Sequence, residues 1–314
     1  MSASVKIGVL ALTDSAPLVV AEQLGWYEEA GVNVELHHQT SWATLRDKLI
    51  YGQLNMAHML APLAVAIEKG FGLSAAHFLA TPLVLNRGGN GVTISKSLKS
   101  LLKGLGVGDT LGSAVRARLE AGQAKLIVGT VFPFSMHTLQ LRRWLRLHDI
   151  DPDMDARFQV VPPLKMTQAL REGKLDLFCV GEPWNTVAQE EGSGEIVSTS
   201  QLLWPEAPEK ILCATASWAK KEAGAYAAVM DCVSRACKWL EQGSENRLQA
   251  AKWMARTDYV NVPESLLAKA LLADRGTGGG LQPFMTFAGD PVVEQDPNWS
   301  AMVSETVRLM NHLY

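Results

Sequence analysis

At 314 residues the chain is long enough for two lobes, since single cores usually stop growing before that size. Its 47% hydrophobic and 19% charged residues mark a globular chain and exclude a disordered one. Twenty-nine basic against 32 acidic residues give a formal charge of -3, which excludes a basic field aimed at nucleic acid or anionic membrane; an anion would have to be captured locally. No apolar run approaches the roughly 20 residues that span a bilayer. The opening Met-Ser-Ala-Ser-Val-Lys-Ile-Gly runs straight into an apolar strand without the zones of a secretory signal, so a cytoplasmic address is expected. Cys179, Cys213, Cys232 and Cys237 lack C-x-x-C spacing and sit in apolar or helical surroundings, and are read as buried thiols.

Val5 to Leu12 reads as a buried strand, and Asp14, Ser15 and Pro17 supply the start signals of a helix ending near Gly25. Val32, Val34 and Leu36 alternate as a strand, and Thr40 or Ser41 caps a helix bearing Trp42, Leu45 and Leu49. Leu54 to Leu60 is a strand and Pro62 opens a helix to Gly70. This alternation predicts a parallel, doubly wound sheet. After a strand near Leu83 to Leu85, Asn86-Arg87-Gly88-Gly89-Asn90-Gly91 tolerates turns and positive φ and is the candidate first hinge. A second series follows, with strands near Lys125 to Val131, Phe158 to Val161 and Leu175 to Val180 and helices starting near Ser135, Lys165 and Pro183. The proline-punctuated Trp204 to Lys210 precedes apolar Ile211 to Ala214, where the chain is expected to cross back; the rest is largely helical. The expected lobes are 1–90 with 211–314, and 91–210, with hinges near 86–91 and 204–212. Gly276 to Gly280 lacks the Lys-Ser/Thr tail and the G-x-G-x-x-G spacing of a phosphate loop and reads as a surface loop.

Ligands of open α/β sheets bind beyond the carboxyl ends of the strands, where helix N-termini present free N–H groups. There the polar oddities gather: Gln39-Thr40-Ser41-Trp42, Asn86 to Gly91, Ser135-Met136-His137 and Gly181-Glu182-Pro183-Trp184. Lys210 on the second crossover would add a full positive charge. Each has a bland counterpart. Trp42 can cover a lobe surface, His137 can be a satisfied structural histidine, Asn90 a turn residue and Lys210 a solvated lysine, while Glu182 and Trp184 can simply pack the lobe interface. His37, His38 and His58 form no metal set, because adjacent strand residues point to opposite faces. There is no G-x-S-x-G elbow, no H-E-x-x-H and no cysteine beside a basic motif, which shifts the expectation from catalysis to binding.

Several ordered segments resemble the nitrate-binding proteins of the NrtA and CmpA type, which include the cytoplasmic nitrate sensor NasS. They are Gln39-Thr40-Ser41-Trp42 with Arg46-Asp47, Ala57-His58, Leu85-Asn86 with Gly89, and Phe132-Pro133-x-Ser135-x-His137 with Leu141-Arg142 and Trp144-Leu145. Cys179-Val180-Gly181-Glu182-Pro183-Trp184-Asn185 and Pro208-Glu209-Lys210 complete the match, which covers most of the chain. The resemblance implies an α/β, two-lobed periplasmic-binding-protein-like (type II) fold, each lobe a doubly wound sheet flanked by helices. It carries the ligand-binding role to Trp42, Asn90, His137, Gly181 and Lys210, with no catalytic residue, metal or cofactor.

Asn90 stands where nitrate binders usually have glutamine, which keeps the amide but shortens its reach. Lysine at position 210, where bicarbonate-binding relatives carry an acidic residue near calcium, implies a metal-free monovalent anion, nitrate or nitrite. Lys210→Glu is then expected to abolish binding and leave the fold intact. Around Phe284 to Phe287 the aromatic-rich segment of the transport proteins is not recognisable, which favours the sensor branch. There the implied partner is a NasT-type ANTAR antitermination protein released by the anion, with no direct nucleic-acid or membrane contact by this chain. The alternatives are the binding component of an ABC-type nitrate, nitrite or bicarbonate importer and, lacking its cysteine-rich motif, a pyrimidine-synthase-like enzyme.

Overall fold

Short runs of β-branched and aliphatic residues, most of them followed by a capped or proline-opened helix, fold into two mixed sheets flanked by helices. The computed structural model describes residues 4–73, 75–80, 82–272 and 284–313; the glycine-rich segment 276–280 lies outside them. The strands are β1 (Val5–Val9), β2 (Val34–His38), β3 (Met56–Leu60), β4 (Leu83–Gly88), β5 (Asn90–Ser95), β6 (Leu126–Thr130), β7 (Ala156–Val160), β8 (Leu177–Gly181), β9 (Gly194–Thr199), β10 (Pro208–Ala214) and β11 (Met285–Pro291). One sheet has the order β11-β4-β10-β3-β1-β2, the other β7-β6-β8-β5-β9. This is the two-lobed periplasmic-binding-protein-like α/β fold.

The sheets are mixed where the sequence alone predicts them parallel. Within each lobe the βαβ units do run parallel, β1 with β2 and β3, and β6 with β7 and β8. The strands that carry the chain between sheets are antiparallel to their neighbours: β10 beside β3 and β4, and β5 beside β8 and β9. Their direction is set by which side the chain enters from, because each follows a strand of the other sheet and not a βαβ crossover within its own.

The first crossover is tighter than a hinge loop. Asn86, Arg87 and Gly88 belong to β4, Asn90 and Gly91 to β5, and Gly89 alone lies between the strands. Gly88 and Gly89 turn the chain at φ 72° and 87°, values that a side chain would oppose. On the return, Pro208 to Lys210 already pair in the first sheet. One core cluster, including Val92, Val128, Trp144 and Leu177, fills the second lobe; the larger one runs from Ile7 and Leu60 across to Phe134 and Val180, so apolar packing continues between the lobes. All four cysteines are free and buried.

Candidate functional site

Where the carboxyl ends of β1, β3 and β8 face the start of β10 and β5, the two lobes close on a buried polar cluster. Its centre is Lys210, whose Nζ lies 2.9 Å from Asp14 Oδ2 and donates to Glu209 Oε1 at 2.8 Å. Glu209 Oε2 accepts from Asn90 Nδ2 at 2.6 Å, and the same amide reaches Gln140 Oε1 at 3.0 Å. His137 Nε2 stands 3.6 Å from Glu209 Oε1, and His58 Nε2 stands 2.9 Å from Asp14 Oδ1. The Trp42 ring lies 5.6 Å below Lys210 Nζ, within cation–π reach, and 5.6 Å from the His58 ring. Thr13 N donates to Glu182 O at 2.8 Å and Trp184 Nε1 to Ala11 O at 3.1 Å, stitching the lobes beside the cluster.

Local structure explains how these side chains meet. Ser41 and Ser135 accept from Thr44 N and Thr138 N, capping the helices Trp42–Ile50 and Met136–Leu147 and fixing Trp42 and His137 in their first turns. Gln140 follows His137 by three residues and shares its helix face. Adjacent strand residues normally face opposite ways, yet Glu209 and Lys210 both enter the cluster. The β10–β4 register shifts on either side of Lys210, and such a bulge re-aims a side chain. Gly181 pairs with Asn90 in the β5–β8 ladder, and a Cβ there would lie 3.2 Å from Asp14 Oδ2.

Burial works against charge on Lys210, but Asp14 and Glu209 outweigh it and hold the ammonium above its ordinary range. For Asp14 the desolvation is likewise overcome, by Lys210 and then His58, and its carboxyl lies well below the ordinary value. Burial pushes Glu209 up, only partly offset by Lys210, while burial and then Lys210 drive His137 well below the usual imidazole range, so it is neutral. The centre is thus one cation, one firmly ionised carboxylate and one carboxylate biased toward its protonated form. Around it the indole N–H of Trp42, Nδ1 of His58, both ring nitrogens of His137 and the Gln140 amide nitrogen are buried with no hydrogen-bond partner in the protein. Each such group costs about 1–3 kcal/mol if left unpaired. Asn90 Oδ1 and Glu182 Oε1 are also unpartnered. A small ligand rich in acceptors would satisfy the N–H groups among them, on the Trp42 indole, the imidazoles and the Gln140 amide. Among the described residues no group of three or more His, Cys, Asp or Glu is arranged to hold a metal ion.

All five residues singled out from the sequence converge here: Trp42, Asn90, His137, Gly181 and Lys210. Two are placed differently from their sequence reading. Asn90 is a strand residue whose amide is a fixed donor, and Lys210 is clasped by two carboxylates instead of standing as a lone cation. Four partners were missed. Asp14 reads as a helix-start signal, but its side chain caps nothing and turns to Lys210 and His58. His58 lies in the fully buried strand Met56–Leu60, where a polar residue in an apolar run was the available signal. Glu209 is hidden in the crossover, and Gln140 carries no motif.

Residues 1–255 match the NMT1-like family. The chain belongs to that family. This NMT1-like chain is 31% identical over 270 residues, 82% of its length and 58% of the relative's, to the nitrate/nitrite binding protein NrtA of Synechocystis sp.. It is 31% identical over 280 residues to the nitrate import ATP-binding protein NrtC of Synechocystis sp., covering 89% of this chain and 41% of that one. The NMT1-like chain therefore spans about two fifths to three fifths of the length of these relatives. Its fold superposes on the crystal structure of the periplasmic nitrate-binding protein NrtA from Synechocystis PCC 6803 with a TM-score of 0.82 at 24% identity, covering 99% of this chain and 88% of that one.

Glu182 of this NMT1-like chain gives a pH test of stability. Burial raises its pKa from 4.5 to about 7, against hydrogen bonds from Thr186 N at 3.1 Å and from the Thr186 and Asn185 side chains. A carboxyl raised on folding binds its proton more tightly in the native state. Its contribution is present below about pH 4.5 and lost as pH rises through about 7. The loss is on the order of 3 kcal/mol. Denaturation at several pH values should show this decline and its flattening in Glu182→Gln; an unchanged slope in the variant would assign the decline elsewhere.

Proposed function

We propose that this protein is a cytoplasmic nitrate/nitrite sensor that binds the anion reversibly at the Lys210 cluster and performs no chemistry on it. The observation that carries this reading is the ring of unpartnered buried donors on Trp42, His58, His137 and Gln140 around a fully buried ammonium, between the two lobes. Nitrate is planar, with three acceptor oxygens sharing one charge, and a dry site must offer it several N–H groups and a cation. Trp42, His58, His137, Gln140 and Lys210 supply them, while Asn90 holds Glu209 aside and Gly181 leaves room. The donors come from both lobes, so the anion favours the closed arrangement, and a partner that prefers the open one is released by linkage. The partner in this reading is an RNA-binding antitermination regulator of the NasT type. A second reading, the binding component of an import system, is favoured by the similarity to NrtA and NrtC.

Calorimetric titration of dialysed protein with nitrate, nitrite, bicarbonate and sulfate, with and without calcium, tests the site. Metal-free binding of nitrate or nitrite supports it, and calcium-dependent bicarbonate binding alone would sink it. Gel filtration with the antitermination protein separates the two readings: the sensor gives a complex that nitrate dissolves, whereas an importer component gives none. Gly181→Ala sets a methyl 3.2 Å from Asp14 Oδ2 and 3.7 Å from Asn90 Oδ1. It should weaken nitrate binding about tenfold, or about 1.4 kcal/mol. Unchanged affinity would move the ligand away from β8.

A further inference from the structure

A groove with a volume of about 820 Å³ lies outside the Lys210 cluster. One wall is the helix Met136–Leu147, which follows β6 in the second lobe, and the other is the helix Pro297–Leu313, which follows β11 in the first. Trp204, on the segment joining β9 to β10, lies between them, so the groove brackets the lobe crossover. Its volume is within the roughly 300–1,000 Å³ of small-molecule sites.

The charge in this groove departs from that of the whole chain. Arg142, Arg143, Arg146 and Arg308 line it against Asp153 and Glu305, although the protein carries a net charge of -3. Arg142 is spent on Asp153 at 2.6 Å and Arg308 faces Glu305 at 2.6 Å. Arg143 and Arg146, three residues apart on one helix, are exposed and have no carboxylate partner among the described residues. Asp153 also reaches His312 Nε2 at 3.1 Å, so a carboxylate held by Arg142 already ties the wall of one lobe to that of the other. Beside these charges Trp204, Leu139, Leu147 and Leu309 give the groove an apolar side.

We propose that this groove binds a small organic polyanion with an aromatic or apolar body, its anionic groups on Arg143, Arg146 and Arg308 and its body against Trp204 and the leucines. Guanidinium pairs suit phosphate and carboxylate groups alike. Because its walls belong to different lobes, the occupant bridges them, stabilises the arrangement seen here and tightens ligand binding in the central cleft; the cleft ligand tightens the groove reciprocally.

The test is calorimetry on the full chain with ATP, which joins phosphates to an aromatic body, beside pyrophosphate, citrate and adenosine. ATP is expected to bind, adenosine not at all, and pyrophosphate and citrate about tenfold more weakly or worse. Arg143→Glu with Arg146→Glu, and the milder pair Arg143→Gln with Arg146→Gln, should weaken ATP binding at least about tenfold and leave nitrate titration without ATP unchanged. No ATP binding below about 1 mM, binding that survives both variant pairs, or equal binding of pyrophosphate would each overturn the proposal. These readings need no nitrate, so their failure is distinct from failure of the sensor reading. The bridging role rests on that reading and is tested by repeating the nitrate titration at saturating ATP. A tightening of about fivefold or more is expected, and no change would overturn it.

Discussion

Lys210→Met is expected to abolish nitrate binding and to cost about 3–5 kcal/mol of stability, because it strands Asp14 and Glu209 in a site from which water is excluded. The two effects have different causes. Loss of binding follows from removal of the Lys210 ammonium, whereas loss of stability follows from carboxylates left facing each other without it. Lys210→Glu, expected from the sequence to spare the fold, should be worse than Met, since it places a third carboxyl beside the other two. The triple variant Asp14→Asn, Glu209→Gln, Lys210→Met removes every charge of the triad and should recover most of the stability while still failing to bind. Urea denaturation and calorimetry on the same preparations decide it. A triple variant no more stable than Lys210→Met would mean that the triad's charges are not the source of the loss, and nitrate binding by either would remove Lys210 from the site.

Nitrate binding should take up about one proton, and its affinity should fall as pH rises. Lys210 foremost holds Asp14 ionised, so with Glu209 also ionised an entering anion becomes the third negative group packed against the Lys210 ammonium. Two like charges about 4 Å apart repel by about 4 kcal/mol at an effective dielectric of about 20. Protonating an ordinary carboxyl at pH 7 costs about 3 kcal/mol, and less for Glu209, whose pKa burial has already raised. Protonation therefore wins. The groups facing Glu209 are Lys210 and Asp14 from the first lobe and His137, Asn90 and the Cys179 thiol from the second, and His137 is neutral beforehand. Above the raised pKa of free Glu209 and below its still higher value in the complex, log Kd should climb with pH at a slope approaching one. Titrations in two buffers of different ionisation heat count the proton directly. Glu209→Gln should abolish both slope and uptake; if His137→Gln does so instead, the proton resides on the imidazole, and binding with no uptake would refute the charge argument.

Much of the fold was legible because periodicity and caps are local. Ser41, one of the two caps the sequence offered, closes its helix start, a helix does begin at Ser135, and the apolar runs at Val5, Met56 and Leu177 are strands. Strand direction at the crossovers was not legible, because it depends on where a chain re-enters a sheet. The resemblance named five residues that do converge, but not their electrostatic setting. Asp14 looks like a helix start, and Glu209 and Lys210, as neighbours on a strand, should face opposite ways. Only the bulge in β10 and closure of the second lobe bring a lysine, two carboxylates and two histidines into one dry volume. Side-chain pattern and capping act over a few residues and are written in the sequence. The charge balance of a buried site is a sum over groups from distant segments, and it exists only once the tertiary structure has set their distances and excluded water.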